Sequence, residues 1–282
     1  MIIGAHVSAA GGVMQAIPRA QALGVTAIQL FASAPGNWNT PKTTNEEAQQ
    51  FGVACQQAGI THIFFHSIYL INLASDNPDL IAKSKRSLIQ ALNLNAAMQG
   101  DGVIFHVGST KGRPFAAVKA DIISHLNEIL AQSDPASTLI IETNAGQGNC
   151  VGDTFEEVAE LLDGVTDKKR IGVCLDTAHT FASGYDFLTR GAKDIMDEFD
   201  RVIGLTYLKA IHTNDSKTAL NSRIDRHENI GLGTMGDEPF RQLLHLPELK
   251  NIPFILEVPG LDGSGPDKAN VEKLHELALG SE

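Results

Sequence analysis

Eight short apolar runs recur along the chain, and seven of them end at or beside a histidine or an acidic residue. They are IIGAHVS (2–8), AIQLFAS (27–33), HIFFHS (62–67), GVIFHVG (102–108), TLIIET (138–143), IGVCLDTAH (171–179), LKAIHTND (208–215) and FILEVPG (254–260). The apolar residues follow one another without alternation, so both faces of each run are expected to be buried, as in a parallel sheet covered by helices. The pattern therefore favours an α/β architecture.

Segments of helical composition separate these runs, for example 45–59, 78–100, 116–131 and 154–164. Several begin with a cap or a first-turn acid, and three stop at a glycine: Gly59, Gly100 and Gly164. A doubly wound open sheet explains the alternation but does not require eight units. Eight units of about 35 residues fit one (β/α)₈ barrel. We therefore predict a single barrel domain spanning residues 1–282.

Composition narrows the class of protein further. With 43% hydrophobic residues in 282, the chain can bury one large core. It has neither an apolar run of about 20 residues, which a membrane span needs, nor a secretory pattern at its start. We expect a soluble, cytoplasmic monomer. Cys55, Cys150 and Cys174 are far apart and form no CxxC, so reduced thiols are expected.

The net charge of −11 argues against a basic surface that binds nucleic acid without sequence preference. Bound cations would weaken that argument. Three divalent ions would reduce the net charge to −5 and concentrate positive charge at one place.

In a (β/α)₈ barrel the carboxyl ends of all strands meet at one mouth, so the polar run endings should converge. They are His66, His106, Glu142, Asp176, His179, His212 and Glu257, joined by Asp225 and His227 from the segment RIDRHENIGLG. Imidazole and carboxylate suit zinc, manganese or iron. Nine candidate ligands are too many for one ion and fit two or three. Without cations such a cluster would be costly to bury.

The remaining histidines are not counted among the candidate ligands. His6 ends the first run alone, and we expect it to support the ligands or to face the substrate. His62 opens a run, and three others lie in helix-like segments: His125, His245 and His275. These four are expected to be structural or solvated.

Several motifs together resemble the endonuclease IV family of abasic-site DNA repair enzymes. They are GAHVSAAGG (4–12), YLINL (69–73), NAGQG (144–148), GVCLDTAHTFASGYD (172–186), HTNDSK (212–217), DRHENIGLG (225–233) and ILE (255–257). The resemblance covers nearly the whole chain. It implies a (β/α)₈ barrel, DNA as the partner, and three divalent metal ions, usually zinc, with manganese or iron as alternatives.

The family's ligand pattern is matched at every position. By resemblance, His66, His106 and Glu142 hold one ion, Glu142 also bridges to a second ion held by Asp176, His212 and Glu257, and His179, Asp225 and His227 hold the third. The resemblance also implies that these ions would supply a hydroxide for attack on a backbone phosphate, either 5′ to an abasic site or at a 3′ terminus. Glu142 orients the nucleophile, and Arg226 or Lys217 holds phosphate oxygens. Backbone amides of HVGS, which includes Ser109, and of NAGQG and GLG are expected to face phosphate.

One loop departs from the family. Members that cut at internal abasic sites typically insert an arginine from the loop after the second strand, where FASAPGNWNT (31–40) has Gly36. Trp38 is retained, as is a second wedge, Tyr69 and Leu70. Leu232 stands where the family often has an acid. We therefore expect weakened incision at internal abasic sites, with 3′–5′ exonuclease activity kept.

Two other functions remain open. Divalent-metal sugar isomerases and epimerases share the barrel, and Glu142, Asp176, His212 and Glu257 alone would fit them. The five further candidate ligands would then have no role. A non-catalytic, metal-dependent DNA-binding protein is the third possibility, although binding alone does not require an open cluster of this size.

Overall fold

The computed structural model describes residues 1–280, so the last two residues of the expected 1–282 domain lie outside the described part. Eight parallel strands form a sheet: β1 Ile2–His6, β2 Ala27–Phe31, β3 His62–His66, β4 Gly102–Phe105, β5 Leu139–Glu142, β6 Ile171–Asp176, β7 Leu208–His212 and β10 Pro253–Leu256. The sheet closes into a barrel in the order β1-β10-β7-β6-β5-β4-β3-β2. Seven of these strands lie within one of the eight apolar runs, and β10 begins one residue before its run. The predicted (β/α)₈ barrel is confirmed.

Helices connect the strands on the outside of the barrel. They are α1 Ala16–Leu23, α2 Asn45–Gln57, α3 Pro78–Ala97, α4 Phe115–Gln132, α5 Phe155–Gly164, α6 Thr177–Ser183, α7 Ala192–Val202, α8 Asp237–His245 and α9 Lys268–Leu279. None of these helices, nor any other within residues 1–280, is long and apolar enough to cross a membrane. A two-stranded antiparallel sheet, β8 Asp215–Ser216 with β9 His227–Glu228, lies between β7 and β10 in the chain.

The helix starts follow local side-chain chemistry. Thr44 and Glu47 form a capping box before α2, and the side chains of Asn77 and Thr154 cap α3 and α5. All three helices end at or within three residues of the predicted glycine, but the glycines differ in backbone conformation. Gly59 has a φ of +79° after α2, a conformation that favours glycine.

Gly100 and Gly164 do not end helices in this way. Gly164 is the last residue of α5 itself, and α3 ends three residues before Gly100. Gly100 is needed for space, because a Cβ there would overlap the Asn95 side chain and the carbonyl oxygen of Ile63.

A layer of buried apolar side chains fills the barrel below its mouth. It consists of Phe64, Ile104, Ile140, Cys174, Ala210 and Ile255. Cys174 and Cys55 are buried free thiols, as expected, and burial raises their pKa values to about 11 and about 12. Because apolar side chains fill the interior, the polar clusters described below lie at the two ends of the barrel.

Arg170 organises the end opposite the mouth, just before β6. Its buried guanidinium donates hydrogen bonds to the carbonyl oxygens of Leu130, Ser133, Asp134 and Ser137, and to the Ser133 hydroxyl. One side chain thereby connects the end of α4 to the start of β5.

Candidate metal centre

Glu142, at the carboxyl end of β5, is buried at the centre of the cluster. Its Oε2 atom lies 3.0 Å from His66 Nε2 and 3.4 Å from His106 Nε2. Its Oε1 atom lies 2.9 Å from His212 Nδ1 and 3.4 Å from His179 Nδ1. One carboxylate therefore contacts imidazoles from the ends of three strands and from α6.

A second group forms around His212 at the end of β7. His212 Nδ1 lies 3.1 Å from Glu257 Oε2 and 3.9 Å from Asp176 Oδ2. Asp176 also caps α6, because its Oδ1 accepts the His179 backbone amide at 2.8 Å. Its Oδ2 accepts Asn214 Nδ2 at 2.7 Å. Asp176 is thus both a helix cap and a member of the cluster.

A third group joins α6 to the segment before β9. His179 Nε2 lies 3.1 Å from Asp225 Oδ1 and 3.4 Å from His227 Nε2. His227 Nε2 is in turn 3.5 Å from Asp225 Oδ1 and 3.6 Å from Asp176 Oδ2. Asp176 therefore faces both the second group and the third, a proximity that the sequence did not predict.

All nine sequence-predicted candidates converge at the mouth. The compact groups are His66 with His106 and Glu142; Glu142 with Asp176, His212 and Glu257; and Asp176 with His179 and His227, and in each the ligand atoms lie within 4.8 Å of one another. Zinc bonds of about 2.0–2.2 Å put tetrahedral ligand atoms roughly 3.3–3.6 Å apart. The residues present fit divalent ions, because each group brings imidazole nitrogens and carboxylate oxygens from different elements together within 4.8 Å.

Hydrogen bonds orient the imidazoles toward the cluster. His66 Nδ1 donates to Ser67 O at 2.8 Å, and His179 Nδ1 donates to Thr143 O at 3.0 Å. His227 Nδ1 faces Glu257 O at 3.3 Å. In each ring Nε2 remains free to bind a metal, the arrangement that supports metal-bound histidines in proteins.

The charges in the cluster favour cations. Burial alone would raise the pKa of Glu142, but the nearby imidazoles of His106 and His212 hold the pKa of this carboxyl well below its ordinary range. Burial alone would lower the pKa of His179, but Asp176 and Asp225 raise that pKa well above its ordinary value. Asp176 and Asp225 thus favour the protonated form of the His179 ring, and a divalent ion would compete with that proton on binding.

Gln29 belongs to the site and was missed from the sequence. It is a buried residue of β2 whose Oε1 accepts His212 Nε2 at 2.7 Å. Its Nε2 donates to Glu257 Oε1 and lies 3.0 Å from His6 Nδ1. Gln29 therefore fixes the His212 tautomer that turns Nδ1 toward the cluster. A lone polar residue inside an apolar run was the only available signal.

Replacing Gln29 by leucine should free the His212 ring while leaving the barrel closed. We expect metal affinity to fall about 10- to 100-fold, the usual cost of losing such a supporting contact. Zinc titration against a competing chelator measures this directly. Equal affinity in Gln29→Leu and the unmodified chain would contradict the role given to Gln29.

An open cavity of about 520 Å³ lies over the cluster, and Tyr69 and Arg226 stand at its rim. Tyr69 is 66% exposed. Its ring stands edge-on to the ring of Phe31, and the two ring centroids are 5.4 Å apart. Leu70 and Trp38 are instead half-buried against the core, so of the expected wedge residues Tyr69 projects furthest. His6 also lines the cavity, 3.5 Å from Glu257.

The other expected DNA contacts have protein partners. The Ser109 hydroxyl donates to Gly148 O, and exposed Lys217 lies 3.8 Å from Glu228. The expectation that GLG offers its amides to phosphate is wrong for both glycines. Gly231 N and Gly233 N point inward and donate to the Asp215 carboxylate.

The histidines expected to be structural lie away from the cluster. His62 pairs with Asp101 at 3.0 Å, His125 Nδ1 contacts Leu73 O at 3.1 Å, and His245 Nδ1 contacts Arg241 O at 2.7 Å. His275 is exposed on α9.

The fold and this mouth place the chain among the TIM barrels that carry candidate metal ligands at the carboxyl ends of their strands. A family model described as a xylose isomerase-like TIM barrel matches residues 17–278. The chain belongs to the endonuclease IV family. It is 38% identical over 278 residues to a probable endonuclease 4 of Trichlorobacter lovleyi, and the match covers 98% of this chain and 99% of that protein.

Solved structures agree with this assignment. The crystal structure of endonuclease IV from Thermus thermophilus matches with a TM-score of 0.85 and 33% identity, over 99% of each chain. D-psicose 3-epimerase from Clostridium cellulolyticum matches with a TM-score of 0.67 at 17% identity, over 99% of this chain and 96% of that one. The second likeness shows the fold alone.

Proposed function

We propose that this protein is a metal-dependent DNA phosphodiesterase of base excision repair, acting 5′ to abasic sites, at 3′ termini, or at both. The observation that carries the proposal is the mouth itself. Eight candidate ligands from six barrel strands, α6 and β9 form three overlapping groups joined through Glu142 and Asp176, and the ninth candidate, Asp225, lies 3.1 Å from His179 Nε2. Membership of the endonuclease IV family supports the same reaction class.

The cluster would hold two or three divalent ions, zinc first among them. Such ions supply an acidified water as nucleophile and positive charge for the phosphate and the leaving oxygen. Glu142 orients that water, because both of its oxygens already face the centre of the cluster. Arg226 is exposed at the cavity rim, where its guanidinium can bind non-bridging phosphate oxygens.

Two neighbouring loops would receive the DNA. Tyr69 stacks on a base or sugar at the rim, and its backbone amide donates to Pro35 O at 3.0 Å. Gly36 follows directly after Pro35, exposed and with open space where a side chain would project. A protein that lacks a side chain there has lost one wedge for opening the duplex.

The first test is one gel with metal-replete protein and two 5′-labelled duplexes, one carrying an internal abasic site and one intact with a free 3′ end. We expect 3′ trimming to be faster than internal incision. Incision of the abasic duplex at least as fast as 3′ trimming would refute the specialisation inferred from Gly36. Absence of any DNA cleavage would refute the proposed function and favour the sugar isomerase or epimerase, or the DNA-binding protein.

Placing an arginine at position 36 tests whether Gly36 is the cause of weak incision at internal abasic sites. Gly36→Arg should raise incision at the internal abasic site about tenfold, because a wedge offsets part of the cost of unstacking a base step. The 3′ trimming rate should stay within about twofold, since the metal cluster is untouched. Gly36→Met, of similar length without charge, is the matched control. Equal effects on both substrates would contradict the prediction.

We further propose that residues 1–282 act as one catalytic domain, as a monomer in the cytoplasm. The continuous barrel from β1 to β10 supports the first part.

A further inference from the structure

Asp215 is a buried carboxylate that lies outside the candidate ligand set. It begins β8, and its side chain is fully buried. Within residues 1–280 no lysine, arginine or histidine pairs with it. A buried carboxylate without a cation is costly unless hydrogen bonds satisfy it.

Backbone amides of a single loop supply those hydrogen bonds. The carboxylate accepts Gly231 N at 3.1 Å, Gly233 N at 2.9 Å, Met235 N at 3.0 Å and Gly236 N at 3.3 Å. It also accepts the amide of the next residue, Ser216, at 2.7 Å. The loop therefore wraps around one anion, and its fold depends on that anion.

The loop approaches Asp215 too closely for ordinary side chains. A Cβ at Gly233 would overlap Asp215 Oδ1 and the carbonyl oxygen of Ser216. Close packing around the Asp215 carboxylate therefore explains Gly233 of GLGTMG, in place of the phosphate contact expected from the sequence.

The segment that leads into this loop carries two residues of the third group, Asp225 and His227. Ser216 pairs with His227 and Asp215 with Glu228 in the β8–β9 sheet, and Lys217 N donates to Arg226 O at 2.9 Å. The backbone of Asp215 thus holds the start of the loop, while its side chain holds the end. Asp225, Arg226 and His227 lie at or just before the backbone attachment, and the residues held by the carboxylate follow it at 231–236.

We propose that Asp215 is a positioning residue that folds the segment 225–236 and thereby places Asp225 and His227 beside His179. The proposal rests on the proposed metal-dependent function. It predicts that the third group can be lost separately, because Glu142, His212 and Glu257 are held by the barrel strands.

The test is Asp215→Asn in the full-length chain, followed by hydrogen exchange with and without chelator and by measurement of bound zinc. Asparagine keeps the shape but turns an NH₂ group toward backbone amides, so about two of the five bonds are lost. We expect amides of 229–237 to exchange about tenfold faster with chelator present, with barrel strands unchanged. Without chelator, bound zinc should fall by about one ion per chain.

Two further variants make the result specific. Gly233→Ala keeps the carboxylate but forces the loop away, so it should reproduce both effects even if Asp215→Asn does not fold. Asp186→Asn is the matched control, because Asp186 accepts the amides of Leu188 and Thr189 on a different loop. It should change neither the exchange of 229–237 nor the zinc content.

Unchanged exchange at 229–237 in both Asp215→Asn and Gly233→Ala would overturn the proposal. Equal acceleration throughout the barrel would also overturn it, since Asp215 would then serve general stability. Neither measurement contains DNA, so failure of the unmodified protein to cleave DNA would refute the proposed function without altering these results.

Discussion

Glu142→Gln should abolish DNA hydrolysis while leaving the barrel folded. We expect kcat to fall about a thousandfold or more, because the change removes an orienting group and a shared ligand together. In the native chain each carboxylate oxygen faces two imidazole nitrogens. In the variant one of those oxygens becomes an NH₂ group, which cannot bind a metal ion. Steady-state cleavage of a 3′-recessed duplex measures the loss.

Two further measurements and a control variant make this result interpretable. Far-UV circular dichroism should be unchanged, since glutamine matches the shape of the buried side chain. Bound zinc should fall, because Glu142 contributes to two of the three groups. Glu156→Gln, on the exposed first turn of α5, should match the unmodified chain in all three assays. Undiminished turnover in Glu142→Gln would contradict the mechanism.

Arg170→Met should have the largest effect on stability, without a comparable effect on turnover. The change leaves four carbonyl oxygens at the end opposite the mouth without their donor. Each unsatisfied buried group costs about 1–3 kcal/mol, and water can reach those near the surface, so we expect a loss of about 3–4 kcal/mol. For a chain of this size that corresponds to a fall in Tm of about 10 °C.

Asp176 lies at the far end of the same strand, about 20 Å away at the usual rise per residue. The kcat of the folded variant should therefore change less than about twofold, within the spread expected for a distant site. Lys169→Met is the matched control, because it removes the same charge from an exposed neighbour. Equal melting temperatures for Arg170→Met and Lys169→Met would show that the guanidinium contacts contribute little.

Seven of the nine candidate ligands could be predicted from the sequence because each lies at or just beyond the end of an apolar run, whereas Asp225 and His227 lie in the segment between the last two runs. Once eight apolar runs are taken as barrel strands, topology brings their carboxyl ends together, whatever the details of packing. Glu142 and His212 are 70 residues apart in the chain and 2.9 Å apart in space for this reason.

Gln29 and Asp215 could not be predicted in the same way. Gln29 lies inside a strand, and its contacts with His212 and Glu257 depend on side-chain direction within the closed barrel. The role of Asp215 depends on where loop amides point, which a glycine-rich segment does not reveal. The same ambiguity produced the wrong expectation for GLG, since inward and outward amides look alike in sequence.

The barrel closes by pairing of β1 with β10, so the metal centre can assemble only after nearly the whole chain has folded. Residues 66 to 257 must all be in place before the cluster exists, so no fragment that ends before β10 contains the complete centre. Ions that bind only the finished centre stabilise the native state by mass action, by about 2.7 kcal/mol for an ion at about 100 times its Kd. Metal supply would thereby govern how long the chain survives proteolysis, as well as whether it can cut DNA.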